Sequence, residues 1–406
     1  MWRTFIIIFV LIAARHIGTQ AKNIIYSENI KSLTSVVNDD WQSSPVLVLG
    51  KGDVMRIGFD EMSHDYHRFI YRIEHCEKDW STSEGLFDSD WLVGFNGLPI
   101  EDYQNSINTN VLYTHYGFTF PNSQCGVKMS GNYRMGIYDE NDNDQMVAEV
   151  RFRVVESLMA VRMEATTNTD IDVNKSHQQV NISLEYGSIN ITNPDEEISL
   201  YVTQNNREET AREGLSANYR SNKGLTWSHN KALIFSAGNE YHKFEVLDVS
   251  HPTMGIDNIV WDGEAYQVYP FACMPRRNYL YDEDANGAFL IRNSDNMEVD
   301  YISEYVYVNY ELHSPFVGEM MIDGMWTTDA DKNHYLMEYD EESQTYRSRQ
   351  LQKQGYYNYI YTTADGNVSP TEGSFYETEN HYQVYIYYKG IGERTWRIVG
   401  SNARKM

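Results

Sequence analysis

Asp282, Asp284, Asn286 and Gly287 stand in the order of the first half of a calcium loop, D-x-D-x-N-G. Such a loop gathers hard oxygen ligands around a sharp glycine turn and closes with a bidentate Glu at its twelfth position. Here that position is Asn293. Asp295 and Glu298 fit only a different loop geometry, and the segment leads into "AFLIR", a strand pattern rather than a helix. The expectation is a polar hairpin turn, with structural calcium as the alternative. The run "YDENDNDQ", with acids and Asn from Asp139 to Asp144, raises the same question. Asp and Asn tolerate turn dihedrals and bond their own backbone, so a turn accounts for them without a ligand.

The other reactive residue types form no working set. The histidines are scattered; none makes HExxH, and none pairs with Cys at zinc spacing. His64 and His67, with Asp60, Glu61 and Asp65, read as a solvated polar loop. His115, in "YTHYGF", reads as a hydrogen-bonded structural histidine. There is no GxSxG elbow, P-loop or GxGxxG. Acidic residues are too abundant to single out a glycosidase pair. No catalytic residue, metal or cofactor is expected. Cys76, Cys125 and Cys273 leave two options open: one Cys76–Cys125 disulfide in an oxidising compartment, or three buried thiols.

Aromatic residues are the other candidate chemistry. The chain has 32 Tyr against 9 Pro. Trp80, Trp91, Trp261 and Trp326 are candidates for stacking on sugars. In "QVYIYYKG", Tyr385 and Tyr387 share the face opposite Val384 and Ile386. Such a stripe is either a binding surface or a face covered by a neighbouring domain. The formal net charge of -25 argues against nucleic acid and against docking on an anionic lipid surface.

The elements that position these residues read as strands. Phe69, Tyr71 and Ile73 alternate with Arg72 and Glu74. Ala148, Val150, Phe152 and Val154 alternate with Glu149, Arg151 and Arg153. Val180 to Tyr186 and Val306 to Leu312 alternate likewise. Period two over this length means antiparallel strands with one apolar face. Asp262-Gly263, Asn286-Gly287, Asp323-Gly324 and Asp365-Gly366 punctuate them as turns. The stretch from Asn206 to Gly224 has room for one or two helical turns. Gly131-x-Tyr133, Gly238 to Tyr241 and Gly355-Tyr356-Tyr357 each open a strand, which spaces three similar units along the chain. The expected fold is all-β: three tandem immunoglobulin/fibronectin-III-like β-sandwich domains over residues 22–156, 157–297 and 298–406, with short stiff joints. Residues 1–21, with Arg3 and the apolar run from Phe5 to Ala14, read as a secretory signal peptide, so the product is expected to be exported and soluble.

Seven phrases in order carry a resemblance: "HCEKDWS" with Trp80; "YTHYGF" with His115 and Tyr116; "SGNYRMGIYDEND" with Gly131 and Tyr133; "FSAGNEYHKFEV"; "YDEDANGAFLI" with Gly287; "LQKQGYYNYIY" with Gly355 and Tyr357; and "EGSFYETENHYQVYIYYKG" with Glu372 and Glu379. Together they resemble the plug proteins of the bacterial type IX secretion system over essentially the whole exported chain. His242 departs from the family phrase, where an arginine is expected. The resemblance implies a periplasmic, non-enzymatic protein at the inner face of the outer membrane. It implies one partner, a very large β-barrel translocon, with the plug a monomer within that complex and touching the membrane only through the barrel. It supplies no catalytic residues, so the named motif residues are expected to be structural. A secreted carbohydrate-binding protein of the same sandwich modules is the second reading, and a glycosidase chain the third.

Overall fold

The computed structural model describes residues 22–406; the expected signal peptide lies outside the described residues. The fold is all-β, and its only α-helices among the described residues are the single turns Asp88–Trp91, Pro194–Glu197 and Val299–Ile302.

The first sandwich follows the expected pattern. One sheet orders Ile24–Ile25, Gln145–Val155, Gly131–Asp139, Phe69–Cys76 and Leu98–Pro99, with Val46–Val48 parallel to Gln145–Val155. The other orders Ile30–Val37, Met55–Glu61, Thr114–Phe120 and Asp102–Asn105. Tyr71, Ile73, Tyr133, Met135 and Phe152 close on Ile57, Phe59 and Tyr116 to form its core. The acidic run is the hairpin between the paired strands Gly131–Asp139 and Gln145–Val155. Asn143 and Asp144 take positive φ there, and Asp144 pairs with Arg72 at 2.9 Å.

The other two sandwiches are not in tandem. Ile198–Gln204 pairs along its whole length with His381–Tyr388, which pairs in turn with Arg397–Lys405. These C-terminal strands complete the middle sandwich: Val384, Ile386 and Val399 share a core with Val180, Ile182, Leu200 and Trp227. The third sandwich, from His242–Val246 to Gly355–Thr363, is an insertion into the second, and its core joins Phe244, Val306, Val308, Tyr310, Tyr357 and Tyr359. The expected boundary between 297 and 298 therefore falls inside the third sandwich. The chain crosses between the two bodies at residues 237–241 and again at 373–380. Gly238 stands at the entrance to the inserted sandwich, just before its strand His242–Val246.

The echo of Gly131 in Gly355 does hold. Tyr133 and Tyr357 each lie two residues past the glycine, and each donates its hydroxyl to a carbonyl four residues upstream, Met129 at 2.7 Å and Lys353 at 2.6 Å. That is the corner by which many sandwiches pin a strand entrance. The stretch expected to hold a helical turn contains the strands Arg207–Glu213 and Tyr219–Ser221. Arg207 and Glu208 are drawn there into buried ion pairs with other sandwiches, which overrides their helical propensity.

The three cysteines are free. Cys125 lies in the first core, whereas Cys76 alternates with Tyr71 and Ile73 onto the opposite face of their strand, beside Glu74. The two sulfurs are thus on different sides of one sheet.

Candidate docking surface and the joints behind it

Each sandwich touches the other two through buried polar groups. Between the first and the middle, the Arg153 guanidinium meets Glu208 at 3.2 Å, with both side chains buried. The guanidinium lies over the rings of Tyr385, Tyr201 and Trp80 at 4.5, 5.1 and 5.2 Å. Arginine keeps its charge in such a cage. Burial pushes the Glu208 carboxyl up, and Arg153 reverses this only in part. Tyr387 receives an Arg153 N–H at 3.4 Å and donates to Asn132 at 2.8 Å. The stripe of Tyr385 and Tyr387 is therefore an internal face. The alternate face of Gln145–Val155, with Glu149, Arg151 and Arg153, is buried too.

Between the first and the inserted sandwich, Asp60 is the centre. Its carboxylate accepts from Lys353 at 2.7 Å, Tyr305 at 2.7 Å and His115 at 2.7 Å. Asp60 and Glu61 are thus buried strand residues, not part of a solvated loop: the third sandwich covers Asp60, and Glu61 accepts from Ser63 within the first. Burial alone would raise the Asp60 carboxyl, but the Lys353 charge and the hydrogen bond from His115 outweigh it and hold it low. Burial outweighs the support that Asp60 and the more distant Asp300 give Lys353, and its ammonium is pushed down. Glu304 accepts from the amides of Asn110 and Val111 at 2.6 and 3.1 Å, and Tyr113 donates to Ser303 O at 2.8 Å.

Between the middle and the inserted sandwich, Arg207 faces Asp323 at 3.5 Å, and Lys22 reaches the same carboxylate at 3.0 Å. A cavity of about 90 Å³ lies at this triple junction. Most of these residues escape sequence reading, since a lone Asp or Lys in a strand looks the same whether its face is wet or covered.

Apolar side chains reach solvent at several places, among them Phe87, Phe95 and Ile391, but the longest run of them lies between Met254 and Tyr281. Met254, Val260, Trp261, Tyr269, Phe271, Met274, Leu280 and Tyr281 are all exposed, Leu280 at 81%. The backbone carrying the last four is fixed. Cys273 N donates to Glu311 O at 2.8 Å and His313 N to Cys273 O at 2.9 Å. Arg276 reaches Glu240 O at 2.6 Å, Tyr279 reaches the Glu240 carboxylate at 2.7 Å, and Lys243 binds Asp282 at 2.5 Å. Anchored residues alternate with Phe271, Met274, Leu280 and Tyr281, which the strap holds outward. These exposed apolar side chains on an anchored backbone make the strap a candidate docking surface. Of the tryptophans considered for sugar stacking, Trp261 is exposed at 45%, whereas Trp80, Trp91 and Trp326 are buried.

The D-x-D-x-N-G turn is occupied by its own chain. Asp284 accepts from the amides of Tyr241 and Asn286, and burial pushes its carboxyl up to about 7. Among the described residues no three His, Cys, Asp or Glu side chains gather as a metal would require.

Residues 30–156, which span nearly all of the first sandwich, match the family profile described as the type 9 secretion system plug protein first domain. The chain belongs to the type IX secretion system plug family. A crystal structure of a hypothetical protein from Parabacteroides merdae ATCC 43184 extends the likeness to all three sandwiches. It is 32% identical, with a TM-score of 0.90 over 95% of this chain and 100% of that one. No curated protein matches the chain. The plug family is a component of a secretion system and not an enzyme class. It suggests an envelope location, and no helix among the described residues is long and apolar enough to cross a membrane.

The plug-family motif residues sit in framework positions. Trp80 and Tyr116 are buried, Tyr116 accepting from His67 N at 2.7 Å. A Cβ on Gly131, which has φ +150°, would lie 2.4 Å from His75 Nε2; one on Gly355 would lie 2.3 Å from Leu290 O. Gly287 takes φ +87° in its turn. Glu372 is buried between His242 and Arg276, and Glu379 pairs with Lys405 at 2.7 Å.

Proposed function

We propose that this chain is a non-enzymatic periplasmic plug. It binds the periplasmic opening of a large outer-membrane β-barrel translocon of type IX secretion and closes it when no substrate is passing. The plug-family first domain carries this reading. The joints support it physically. A body that occludes a channel must not yield at its linkers, and here ion pairs and ring contacts tie every pair of sandwiches together.

The strap carrying Phe271, Met274, Leu280 and Tyr281 is the face that meets the barrel. Its apolar side chains need no reordering on contact, which lowers the cost of association. Release is a population shift: the plug leaves when the translocon adopts a state that it binds less well.

The test is to tag the C-terminus, purify the protein gently from detergent-solubilised outer membranes, and identify its companions. A stoichiometric, very large barrel is the expected result. A clean monomer under mild crosslinking refutes the proposal.

A further inference from the structure

Cys273 has surroundings that neither other thiol shares. His242 opens the first strand of the inserted sandwich, directly after the crossing at residues 237–241. Its Nδ1 lies 3.5 Å from Cys273 Sγ, and its Nε2 lies 3.1 Å from Glu372 Oε2. The other Glu372 oxygen accepts from Tyr361 N at 2.8 Å, so the carboxylate is itself held in place. The imidazole is stacked on Tyr359, with ring centres 5.2 Å apart, and is flanked by Tyr361 at 5.3 Å. The Tyr359 hydroxyl is 3.5 Å from the sulfur. Backbone bonds on both sides of Cys273 fix the sulfur against this ring.

A thiol beside an imidazole that a carboxylate orients is the arrangement of an activated nucleophile. Glu372 fixes which nitrogen faces the sulfur, and its charge favours imidazolium. Other titratable or charged groups around the pair are Tyr359, Tyr361, Tyr310 and Arg276, the last sharing the Glu372 carboxylate. Burial by itself would raise the Cys273 thiol, but His242 outweighs it and brings the thiol below its ordinary value. Burial pushes Cys76 up to about 12 and Cys125 up to about 11, which leaves both inert at neutral pH. Cys273 is half-buried, between exposed Ala272 and Met274.

The geometry points to Cys273 as a covalent modification site: a thiolate paired with His242, and oriented through it by Glu372, that takes up low-molecular-weight disulfides as mixed disulfides. The Sγ lone pair attacks one sulfur of the disulfide, and a new S–S bond forms as the old one breaks. Cys273 is oxidised. The other half of the disulfide is reduced and leaves as a thiolate, for which the His242 imidazolium is the nearest proton donor. The adduct carries no charge at Sγ, so His242 loses one of its two anionic neighbours at the joint between the inserted and middle sandwiches.

The experiment uses the folded full chain and oxidised glutathione, with peptide mass mapping of the adduct and rates measured across pH. The expected result is one adduct, at Cys273. Its rate should titrate with a midpoint at least about one pH unit below the ~8.5 of an ordinary thiol. His242→Gln should slow it severalfold at pH 7 and move the midpoint up to the ordinary range or above it, since burial then acts on the thiol unopposed. Glu372→Gln should fall between the two. The wild-type profile decides the matter even where a variant does not fold. No adduct at Cys273, or an adduct formed with the profile of an ordinary thiol, overturns the inference.

Discussion

Asp60 and Lys353 are 293 positions apart in the chain and 2.7 Å apart in space, with each side chain 1% exposed. They belong to different sandwiches. Both charges have left water, so the pair is a device for register between two bodies more than a source of net stability. Tyr305 and His115 complete it, and Lys353 also lies 4.1 Å from the centre of the Tyr113 ring.

Lys353→Met removes the cation and leaves the Asp60 carboxylate buried with one fewer partner. The expected loss is about 3–5 kcal/mol in urea unfolding. Adding Asp60→Asn should restore a large part of it, because the stranded charge is gone. Additive losses in the double variant would contradict this account of the joint.

The acid limb of stability should follow the tied carboxyls. Asp60 and Glu372 both have folded pKa values below their unfolded ones, 3.8 and 4.5, with Glu372 at about 2. In each case burial opposes the shift; Lys353 and His115 outweigh it at Asp60, and His242 and Arg276 at Glu372. A depressed acid stabilises the fold fully above its unfolded value and loses that contribution as pH falls towards its folded value. The melting temperature should therefore hold above about pH 5 and drop below about pH 4. Asp60→Asn should start lower and fall less steeply. A parallel fall in both proteins would remove Asp60 from the explanation.

Gly131→Val places a Cβ where only 2.4 Å separates it from His75 Nε2. His75 is itself held at 2.9 Å by Ser83, so it has little room to move. A loss of about 2 kcal/mol is expected, read as a lower melting temperature. An unchanged melting temperature would show that the close approach is not rigid.

Leu280→Asp and Phe271→Asp test the strap. Both side chains are largely in solvent, so the melting temperature should stay within about a degree, in line with the small effect of surface substitutions. Capture of the barrel should fall at least about tenfold, the effect of removing one contact of hot-spot size. Unchanged capture would move the docking face elsewhere on the plug.

The strands and the hairpin at Asp139–Asp144 were legible because each depends on near neighbours in sequence; Gly131 was legible as the opening of a strand, but not its close approach to His75. Alternation marks two faces of a strand and fixes which is apolar. It does not say what covers the other face. Arg153 and Tyr385 were therefore readable as alternating residues and unreadable as a joint. The insertion of the third sandwich was hidden for a related reason. The pairing of Leu200 with Ile386 spans the whole inserted domain, and the crossings at 237–241 and 373–380 look like ordinary loops. His242 and Cys273 were both noted as residues, but their meeting depends on the strap, which no local pattern announces.

Occlusion itself is the central claim, and outer-membrane permeability tests it most directly. Uptake of a large, normally excluded dye should be compared in cells lacking the plug, cells lacking the barrel, and cells lacking both. The account predicts entry when only the plug is absent, and exclusion again when the barrel is removed as well. Exclusion in cells that lack the plug but keep the barrel would contradict it.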